Sequence, residues 1–246
     1  MRHTITALMC IAAIGSIAAA ELSMLASGAV EGPLETLEKS YRQHGVMVRL
    51  QFDPSPMITK RLASGETPDV LIAQTSTVDQ MIREGRALGD SRVAIGRIGI
   101  GVAVGRGGRK PDVSTVDALK VALRQADRVL LTQGAAGAYM DGKLRELGLM
   151  DEIAGKVTQM PTGESLTRRL GTGGNQIGFT MISELRYGAR LGASYVGPLP
   201  AAMQRQTPYD AVVMSGSRAQ DAARAFVKYI TTPAARKLFT ADGWEF

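Results

Sequence analysis

The chain has 246 residues, with 29 lysines and arginines against 23 aspartates and glutamates, a formal net charge of +6, and 45 % hydrophobic residues. This composition is that of an ordinary globular protein, and it excludes a disordered tail, a collagen-like repeat and a polytopic membrane protein. At roughly 100–200 residues per domain, the length allows one large domain or two small ones. Because aromatic residues make up only 5 % of the chain and the excess charge is modest and scattered, the composition does not indicate nucleic-acid binding.

The first 20 residues have the pattern of a cleaved secretory signal peptide. They begin with the basic Arg2, continue in an apolar run from about Ala7 to Ile17 and end in small residues up to Ala20. The apolar run is shorter than the roughly 20 residues that a membrane-spanning helix needs, which disfavours the alternative of a membrane anchor. We therefore expect cleavage near Ala20 and export to the periplasm.

The only cysteine, Cys10, lies in this leader segment. The mature chain would then have no disulfide, no thiol nucleophile and no cysteine-based metal site. It would keep a single histidine, His44, and neither a zinc site nor a Ser-His-Asp triad can be assembled convincingly from one histidine. The sequence therefore predicts no metal and no cofactor.

Short β-rich runs alternate with amphipathic segments along the mature chain. The predicted strands are, in chain order, Leu22–Ala26, Val46–Phe52, Val70–Ala73, Gly99–Gly105, Arg128–Thr132, Lys156–Met160, Gln176–Met181, Tyr195–Pro198 and Tyr209–Ser215. Between the first two strands, Leu34, Leu37 and Tyr41 share one face of a helix. Alternation of this kind predicts an α/β fold with mostly parallel sheets that are flanked by helices.

The C-terminal segment favours two lobes over one. A helix over Gln220–Ile230 follows the last strand, and a final helix over Ala234–Thr240 follows Pro233, which suits a first helical turn. This segment would pack against the first sheet and make the N-terminal lobe discontinuous. We predict lobe I over residues 21–103 plus 207–246, lobe II over residues 104–206, and a ligand cleft between them.

Four turns lead from a predicted strand into a predicted helix through small and polar residues. They are Ser27-Gly28, Asp53-Pro54-Ser55-Pro56, Gly134-Ala135-Ala136-Gly137 and Pro161-Thr162-Gly163-Glu164-Ser165. Such turns expose main-chain N–H groups at the positive end of a helix, which is how proteins hold anions without a charged side chain. An ordinary helix cap explains any one of these turns equally well, so the expected anion site depends on all four meeting in one crevice.

Several segments resemble the molybdate-binding family of type II periplasmic solute-binding proteins. They are Leu25-Ala26-Ser27, Phe52-x-x-Ser55, the stretch from Arg61 to Ile72, Ala136-Gly137-x-Tyr139, Ile177-Gly178-Phe179 and the stretch from Ala222 to Pro233. The resemblance spans essentially the whole mature chain. It implies two α/β lobes that close on a small anion and hand it to an ABC-type permease of the inner membrane. We expect a monomer and no nucleic-acid partner.

The resemblance also implies site residues, position by position. Serine hydroxyl groups would come from Ser27 and Ser55, and main-chain amides from Ala136 and from the turn at residues 163–165. The full predicted ligand-binding set is Ser27, Gly28, Ser55, Ala136, Gly137, Tyr139, Ser165 and Met181. Met181 stands where the family has a ligand-contacting tyrosine, and methionine cannot donate that hydrogen bond. The expected ligand is therefore either a molybdate- or tungstate-like oxyanion or a small di- or tricarboxylate.

A second group of segments resembles a subgroup of this fold that includes aconitate isomerase, an enzyme that moves a double bond in a tricarboxylate. The segments are Asp90-Ser91-Arg92-Val93, Gly101-Val102-Ala103-Val104, the stretches from Lys110 to Ser114 and from Asp117 to Lys120, and Gly178-Phe179-x-x-Ile182-Ser183-Glu184-Leu185. Such a reaction needs a base that takes a carbon-bound proton and an acid that returns it. The candidates are Glu164, Asp141, Tyr139 and Asp53, although solvated surface charge is the commoner role of such carboxylates. We expect a binding protein, with a periplasmic isomerase that uses the same cleft as the alternative.

Overall fold

The structure is a computed structural model that describes residues 20–246. The predicted signal peptide therefore lies, except for Ala20, outside the described residues. The strands are β1 (Ala20–Ser27), β2 (Val46–Asp53), β3 (Val70–Gln74), β4 (Val93–Ile98), β5 (Ile100–Val104), β6 (Arg128–Thr132), β7 (Val157–Met160), β8 (Gln176–Met181), β9 (Ser194–Pro198) and β10 (Thr207–Val213).

Helices alternate with these strands. They are α1 (Glu31–Tyr41), α2 (Ser55–Ala63), α3 (Thr75–Arg83), α4 (Val116–Gln125), α5 (Ala135–Glu146), α6 (Met150–Ile153), α7 (Gly163–Gly171), α8 (Ile182–Tyr187), α9 (Gln220–Tyr229) and α10 (Pro233–Ala241). None of the helices between residues 20 and 246 is long and apolar enough to cross a membrane.

Two five-stranded sheets organise the described chain. The first sheet has the strand order β2-β1-β3-β10-β4, and the second has the order β7-β6-β8-β5-β9. In the first sheet β10 runs antiparallel to β3 and β4, and in the second β5 runs antiparallel to β8 and β9. The predicted α/β architecture with two lobes is confirmed, but the sheets are mixed and not mostly parallel, because two of the four strand pairs in each sheet are antiparallel.

The chain changes sheets at Gly99, between β4 and β5, and returns between β9 and β10. Strand β5 pairs with β8 of the second sheet, although the predicted boundary after residue 103 assigns it to lobe I. The division of the chain into lobe I and lobe II otherwise stays a prediction. The two crossings lie side by side, because the amide group of Gln204 hydrogen-bonds both the main-chain N–H of Ile100, at 2.8 Å, and its carbonyl oxygen, at 2.9 Å.

Strand β4 is not among the strands predicted from the sequence, because Gly96 interrupts its apolar pattern. Gly96 has a φ of 136°, and the register of β4 against β10 shifts between Tyr209 and Asp210. A Cβ atom at position 96 would lie 2.6 Å from the carbonyl oxygen of Glu245. The glycine therefore forms a bulge that lets the C-terminal segment lie directly against β4.

The C-terminal helices lie on the first sheet, as the sequence predicts. Helix α10 begins at Pro233, and the hydroxyl group of Thr232 accepts a hydrogen bond from the main-chain N–H of Ala235 at 3.3 Å, which caps the helix. Beyond α10, the indole ring of Trp244 packs edge-on against the ring of Tyr209, with 5.3 Å between the ring centres. These contacts tie the end of the chain to β10, next to the junction of the two sheets.

Candidate functional site

Five strand-to-helix turns surround one cavity of about 260 Å³ between the two sheets. In the first sheet, β1 leads into a 3-10 turn at Gly28 and β2 leads into α2 at Ser55. In the second sheet, β6, β7 and β8 lead into α5, α7 and α8. The cavity is lined by Ser27, Gly28, Glu31, Phe52, Asp53, Pro54, Ser55, Thr132, Gly134, Ala135, Ala136, Pro161, Thr162, Gly163, Glu164, Thr180, Met181, Glu184 and Tyr209. The four turns singled out in the sequence therefore meet, and a fifth joins them.

Helix N-termini give this cavity its electrostatic character. Each contributes main-chain N–H groups without an intrahelical partner and the positive end of a helix dipole. Of the predicted binding residues, Ser27, Gly28, Ser55, Ala136 and Met181 line the cavity. The Ser27 hydroxyl also accepts a hydrogen bond from the main-chain N–H of Ala29 at 3.3 Å, so it caps the 3-10 turn while it borders the cavity.

Three other residues of the predicted binding set lie outside the cavity lining. Gly137 is buried against β6, and a Cβ atom there would lie 1.7 Å from the carbonyl oxygen of Thr132. The Tyr139 hydroxyl donates to the carbonyl oxygen of Met203 at 2.8 Å, in the segment that crosses back to the first sheet. The Ser165 hydroxyl accepts from the main-chain N–H of Thr162 at 3.0 Å and completes a capping box at the start of α7.

All three predicted carboxylates are engaged with arginines, and one of them, Glu164, lines the cavity and pairs with Arg168 at 2.6 Å. Asp141 lies outside the cavity lining and pairs with Arg145 at 2.8 Å along the exposed face of α5. Asp53 lines the cavity, but its Oδ2 atom lies 2.6 Å from Nη1 of Arg61. The guanidinium group of Arg61 also binds Glu66, and these two hydrogen bonds raise the pKa of Arg61. Each of these carboxylates is therefore already bound to a guanidinium group.

Glu184, which is not among the predicted site residues, lies in the cavity wall. It is the third residue of α8, where its Oε2 atom accepts a hydrogen bond from the main-chain N–H of Met181 at 3.3 Å. The Thr180 hydroxyl donates to the same oxygen. Burial raises the pKa of the Glu184 carboxyl, and these two hydrogen bonds oppose the shift. A glutamate three residues after a strand end is a capping signal, which is how the sequence could have pointed to it.

Glu31 is a second missed carboxyl, at the start of α1. Burial raises its pKa from 4.5 to about 7, the negative charges of Glu35, Glu164 and Glu184 add to the shift, and Arg190 opposes it. The Arg190 guanidinium lies 3.9 Å from the Glu31 carboxylate. At neutral pH this carboxyl group is therefore partly protonated and can donate a hydrogen bond.

Tyr209 adds a phenol group to the cavity from β10. Burial raises its pKa to about 12, against the effect of hydrogen bonds with Ser27 and Gln74. The protonated hydroxyl faces the cavity from the first sheet, whereas Met181 in the second sheet donates nothing. The sequence could not indicate that Tyr209 lines the cavity, because its pattern predicts only that it lies in a strand.

Helix α8 also holds the two lobes together beside the cavity. The Ser183 hydroxyl donates to the carbonyl oxygen of Ala29 at 2.7 Å, and the Tyr187 hydroxyl donates to a carboxylate oxygen of Glu35 at 2.5 Å. These contacts join α8 of the second sheet to the turn and helix that follow β1. They fix the backbone on both sides of Glu184, so the position of its carboxyl group depends on these contacts between the lobes.

The raised pKa of Glu31 predicts a loss of stability as the pH rises. The folded protein binds the Glu31 proton more tightly than the unfolded chain, so this contribution to the free energy of unfolding is complete below about pH 4.5 and disappears by about pH 7. Glu31→Gln should reduce the decrease in stability between pH 5 and pH 7.5 by about 1–3 kcal/mol. Urea unfolding of the wild type and the variant at the two pH values measures this change in stability. Glu146→Gln, at an exposed ion pair with Lys143, should follow the wild type; an unchanged slope in Glu31→Gln would contradict the shift.

Comparison with known proteins agrees with this architecture. The model of the family described as bacterial extracellular solute-binding protein matches residues 22–245. The chain therefore belongs to this family, and the resemblance expected from the sequence is confirmed.

One curated relative is the aconitate isomerase of a Pseudomonas species, which is 31 % identical over 228 residues, covering 90 % of this chain and 86 % of the relative. Among solved structures, the periplasmic molybdate-binding protein of Azotobacter vinelandii matches with a TM-score of 0.75 and 18 % identity, over 92 % of this chain and 99 % of that one. A sulfate-binding protein of Mycobacterium tuberculosis matches with a TM-score of 0.71 and 16 % identity, over 92 % and 86 % of the two chains.

Proposed function

We propose that this protein binds a small di- or tricarboxylate between its two lobes. The observation that carries the proposal is the convergence of five strand-to-helix turns on one cavity of about 260 Å³. Main-chain N–H groups at helix N-termini, the hydroxyls of Ser27, Ser55 and Tyr209, and a protonated Glu31 would supply hydrogen bonds to carboxylate oxygens.

The size of the cavity favours a carboxylate over an inorganic oxyanion. A cavity of about 150 Å³ is large enough to hold benzene, so the larger cavity here has room for more than one tetrahedral ion. Met181 stands where the molybdate-binding family has a tyrosine, so the cavity wall lacks that hydroxyl donor. The lining carboxyl groups of Glu31 and Glu184, both with raised pKa values, would donate to a carboxylate rather than repel it when they are protonated.

As a solute-binding protein, the chain would work in the periplasm and present its closed lobes to an ABC-type permease of the inner membrane. Support for this location comes from the family to which the chain belongs and from the signal-peptide pattern of residues 1–20. A pull-down of the detergent-solubilised permease with the ligand-loaded mature protein tests the partnership.

A thermal-shift titration of the mature protein, unfolded and refolded to remove bound ligand, tests the ligand class. Molybdate, tungstate, sulfate, citrate, cis-aconitate and trans-aconitate are compared, because a ligand that binds only the folded state raises the melting temperature. A hundredfold excess over Kd stabilises the protein by about 2.7 kcal/mol. We expect a shift with one or more of the carboxylates. A shift with molybdate or tungstate alone would overturn the proposal in favour of oxyanion uptake.

A second function, interconversion of cis- and trans-aconitate, is supported by a separate observation. The aconitate isomerase of Pseudomonas aligns with most of this chain, and the cavity wall contains Glu184, a carboxyl group suited to proton transfer. Incubation of each isomer with the protein, followed by separation of the isomers, tests it without any transporter. If cis-aconitate and trans-aconitate are each converted to the same final ratio of isomers, the protein is an enzyme. If aconitate binds but no product forms, the protein is a binding protein.

A further inference from the structure

Glu184 differs in its surroundings from the other carboxylates that line the cavity. Asp53 pairs with Arg61 at 2.6 Å, and Glu164 pairs with Arg168 at 2.6 Å at a solvated position. The described structure gives Glu184 no cationic partner; it gives that carboxylate only a hydroxyl and a main-chain N–H, and both reach the same oxygen, Oε2. The remaining oxygen, Oε1, accepts no hydrogen bond from the described residues, and the Glu184 side chain lines the cavity.

Two glycines make room for this carboxyl group. A Cβ atom at Gly28 would lie 2.9 Å from Oε1 of Glu184, and a Cβ atom at Gly163 would lie 2.5 Å from its Cδ atom. Any other residue at either position would therefore displace the carboxyl group from the cavity wall. The glycines come from opposite sheets, so the carboxyl group is enclosed by both lobes at the place where two helices begin.

From this geometry we propose that Glu184 is the catalytic residue that removes and returns the carbon-bound proton when an allylic tricarboxylate such as aconitate is isomerised. The inference rests on the second of the proposed functions. Thr180 and the main-chain N–H of Met181 hold Oε2, which leaves Oε1 to face the substrate carbon.

The step balances without any co-reactant. Oε1 takes a proton from the methylene carbon beside a terminal carboxylate, and the electron pair of that C–H bond forms the new double bond to the central carbon. The electrons of the old double bond move to the former vinylic carbon, which receives the proton from the same carboxyl group. The charge that develops on the substrate carboxylates is stabilised by the N–H groups of the helix N-termini.

A small cavity of about 10 Å³ adjoins this carboxyl group, lined in part by Glu31, Glu164 and Glu184. That volume is at the lower limit for a single water molecule. A water there would let the proton on Glu184 exchange with solvent during the life of the intermediate. The raised pKa of Glu184 agrees with a carboxyl group that carries a proton for part of the cycle.

The test uses the mature protein and the variant Glu184→Gln, which keeps the size of the side chain and an acceptor for Thr180 and Met181. Loss of general acid–base catalysis should lower the rate of aconitate interconversion by about 10²- to 10⁴-fold. In D₂O, the wild type should incorporate deuterium into aconitate, detected by proton NMR, and the variant should not. Binding of trans-aconitate by calorimetry should stay within a few-fold of the wild type. Glu84→Gln, on the exposed surface away from the cavity, should retain both rate and exchange.

Each outcome separates the inference from the function on which it rests. Interconversion or exchange at the wild-type rate in Glu184→Gln would overturn the role of Glu184 and leave the isomerase function standing. A wild type that binds aconitate without exchange or product would overturn both the isomerase function and the role of Glu184 but not carboxylate binding. If Glu184→Gln does not fold, Glu184→Asp takes its place, because it retains the carboxyl group on a shorter side chain. This variant should show slow but measurable deuterium exchange. A complete absence of exchange in a folded Glu184→Asp variant that binds aconitate would count against proton transfer by the carboxyl group at position 184.

Discussion

Replacement of both Ser27 and Ser55 by alanine should weaken the binding of trans-aconitate by about 10²- to 10⁴-fold. Each hydroxyl borders the cavity at a helix N-terminus, one in each of the two neighbouring strand-to-helix turns of the first sheet. A hydrogen bond to a charged ligand contributes about 1.5–3 kcal/mol, and two of them together give this range. Isothermal titration calorimetry of the refolded protein measures the change.

The Ser27 hydroxyl also caps a 3-10 turn, so the double variant should lose about 1 kcal/mol of stability as well. Thr115→Ala is a matched control. It removes a capping hydroxyl that accepts from the main-chain N–H of Ala118 at 3.1 Å at the start of α4, and Thr115 does not line the cavity. The control should lose stability and bind as the wild type does. An unchanged Kd in the double serine variant, with binding to the wild type established, would remove these hydroxyls from the site.

Replacement of Gly137 by alanine should destabilise the protein by about 1–3 kcal/mol or more, since an extra methyl group there is strongly overpacked. The new Cβ atom would lie 1.7 Å from the carbonyl oxygen of Thr132 and 2.6 Å from its carbonyl carbon, both of them main-chain atoms. Relief of this steric clash requires α5 to move away from β6. That movement also shifts Ala136 at the cavity wall, so ligand binding should weaken together with stability.

Gly142→Ala is the matched control, because it changes the same residue type in the same helix. Nothing lies within 4 Å of a Cβ atom at position 142, and alanine is favoured over glycine in a helix by about 1 kcal/mol. The two variants should therefore change the free energy of urea unfolding in opposite directions. Equal stability of Gly137→Ala and the wild type would show that α5 does not approach β6 as closely as described.

The elements near the cavity could be predicted because local chemistry specifies them. Ser27-Gly28 after an apolar strand and Thr162-Gly163 before an amphipathic helix are capping patterns that act within a few residues. The helices over Gln220–Tyr229 and Pro233–Ala241 were likewise predictable from periodicity and a proline. Strand β4 was missed because its glycine bulge is compensated by a contact with Glu245, which is distant in the sequence.

The residues of the candidate site also differ in whether local sequence or tertiary packing places them. Five members of the predicted binding set line the cavity, and each lies in a turn whose conformation is set locally. The other three members, Gly137, Tyr139 and Ser165, lie in or next to the same turns, but they contact Thr132, Met203 and Thr162 instead of the cavity. Which side of a helix start faces the cavity depends on how that helix lies on its sheet, and the sequence of the turn does not contain that information.

The sequence by itself determined the alternation of strands and helices, the strand-to-helix turns and the family to which the chain belongs. The alternation and the turns follow from residue propensities, apolar periodicity and helix capping, which operate over short stretches of chain, whereas the family follows from the resemblance of particular segments. Only the tertiary structure decided that Glu31, Glu184 and Tyr209 share one cavity wall, because they come from three distant segments that meet through strand order and through contacts between the two lobes. The raised pKa values of these groups also belong to the tertiary level, since burial by both lobes causes them.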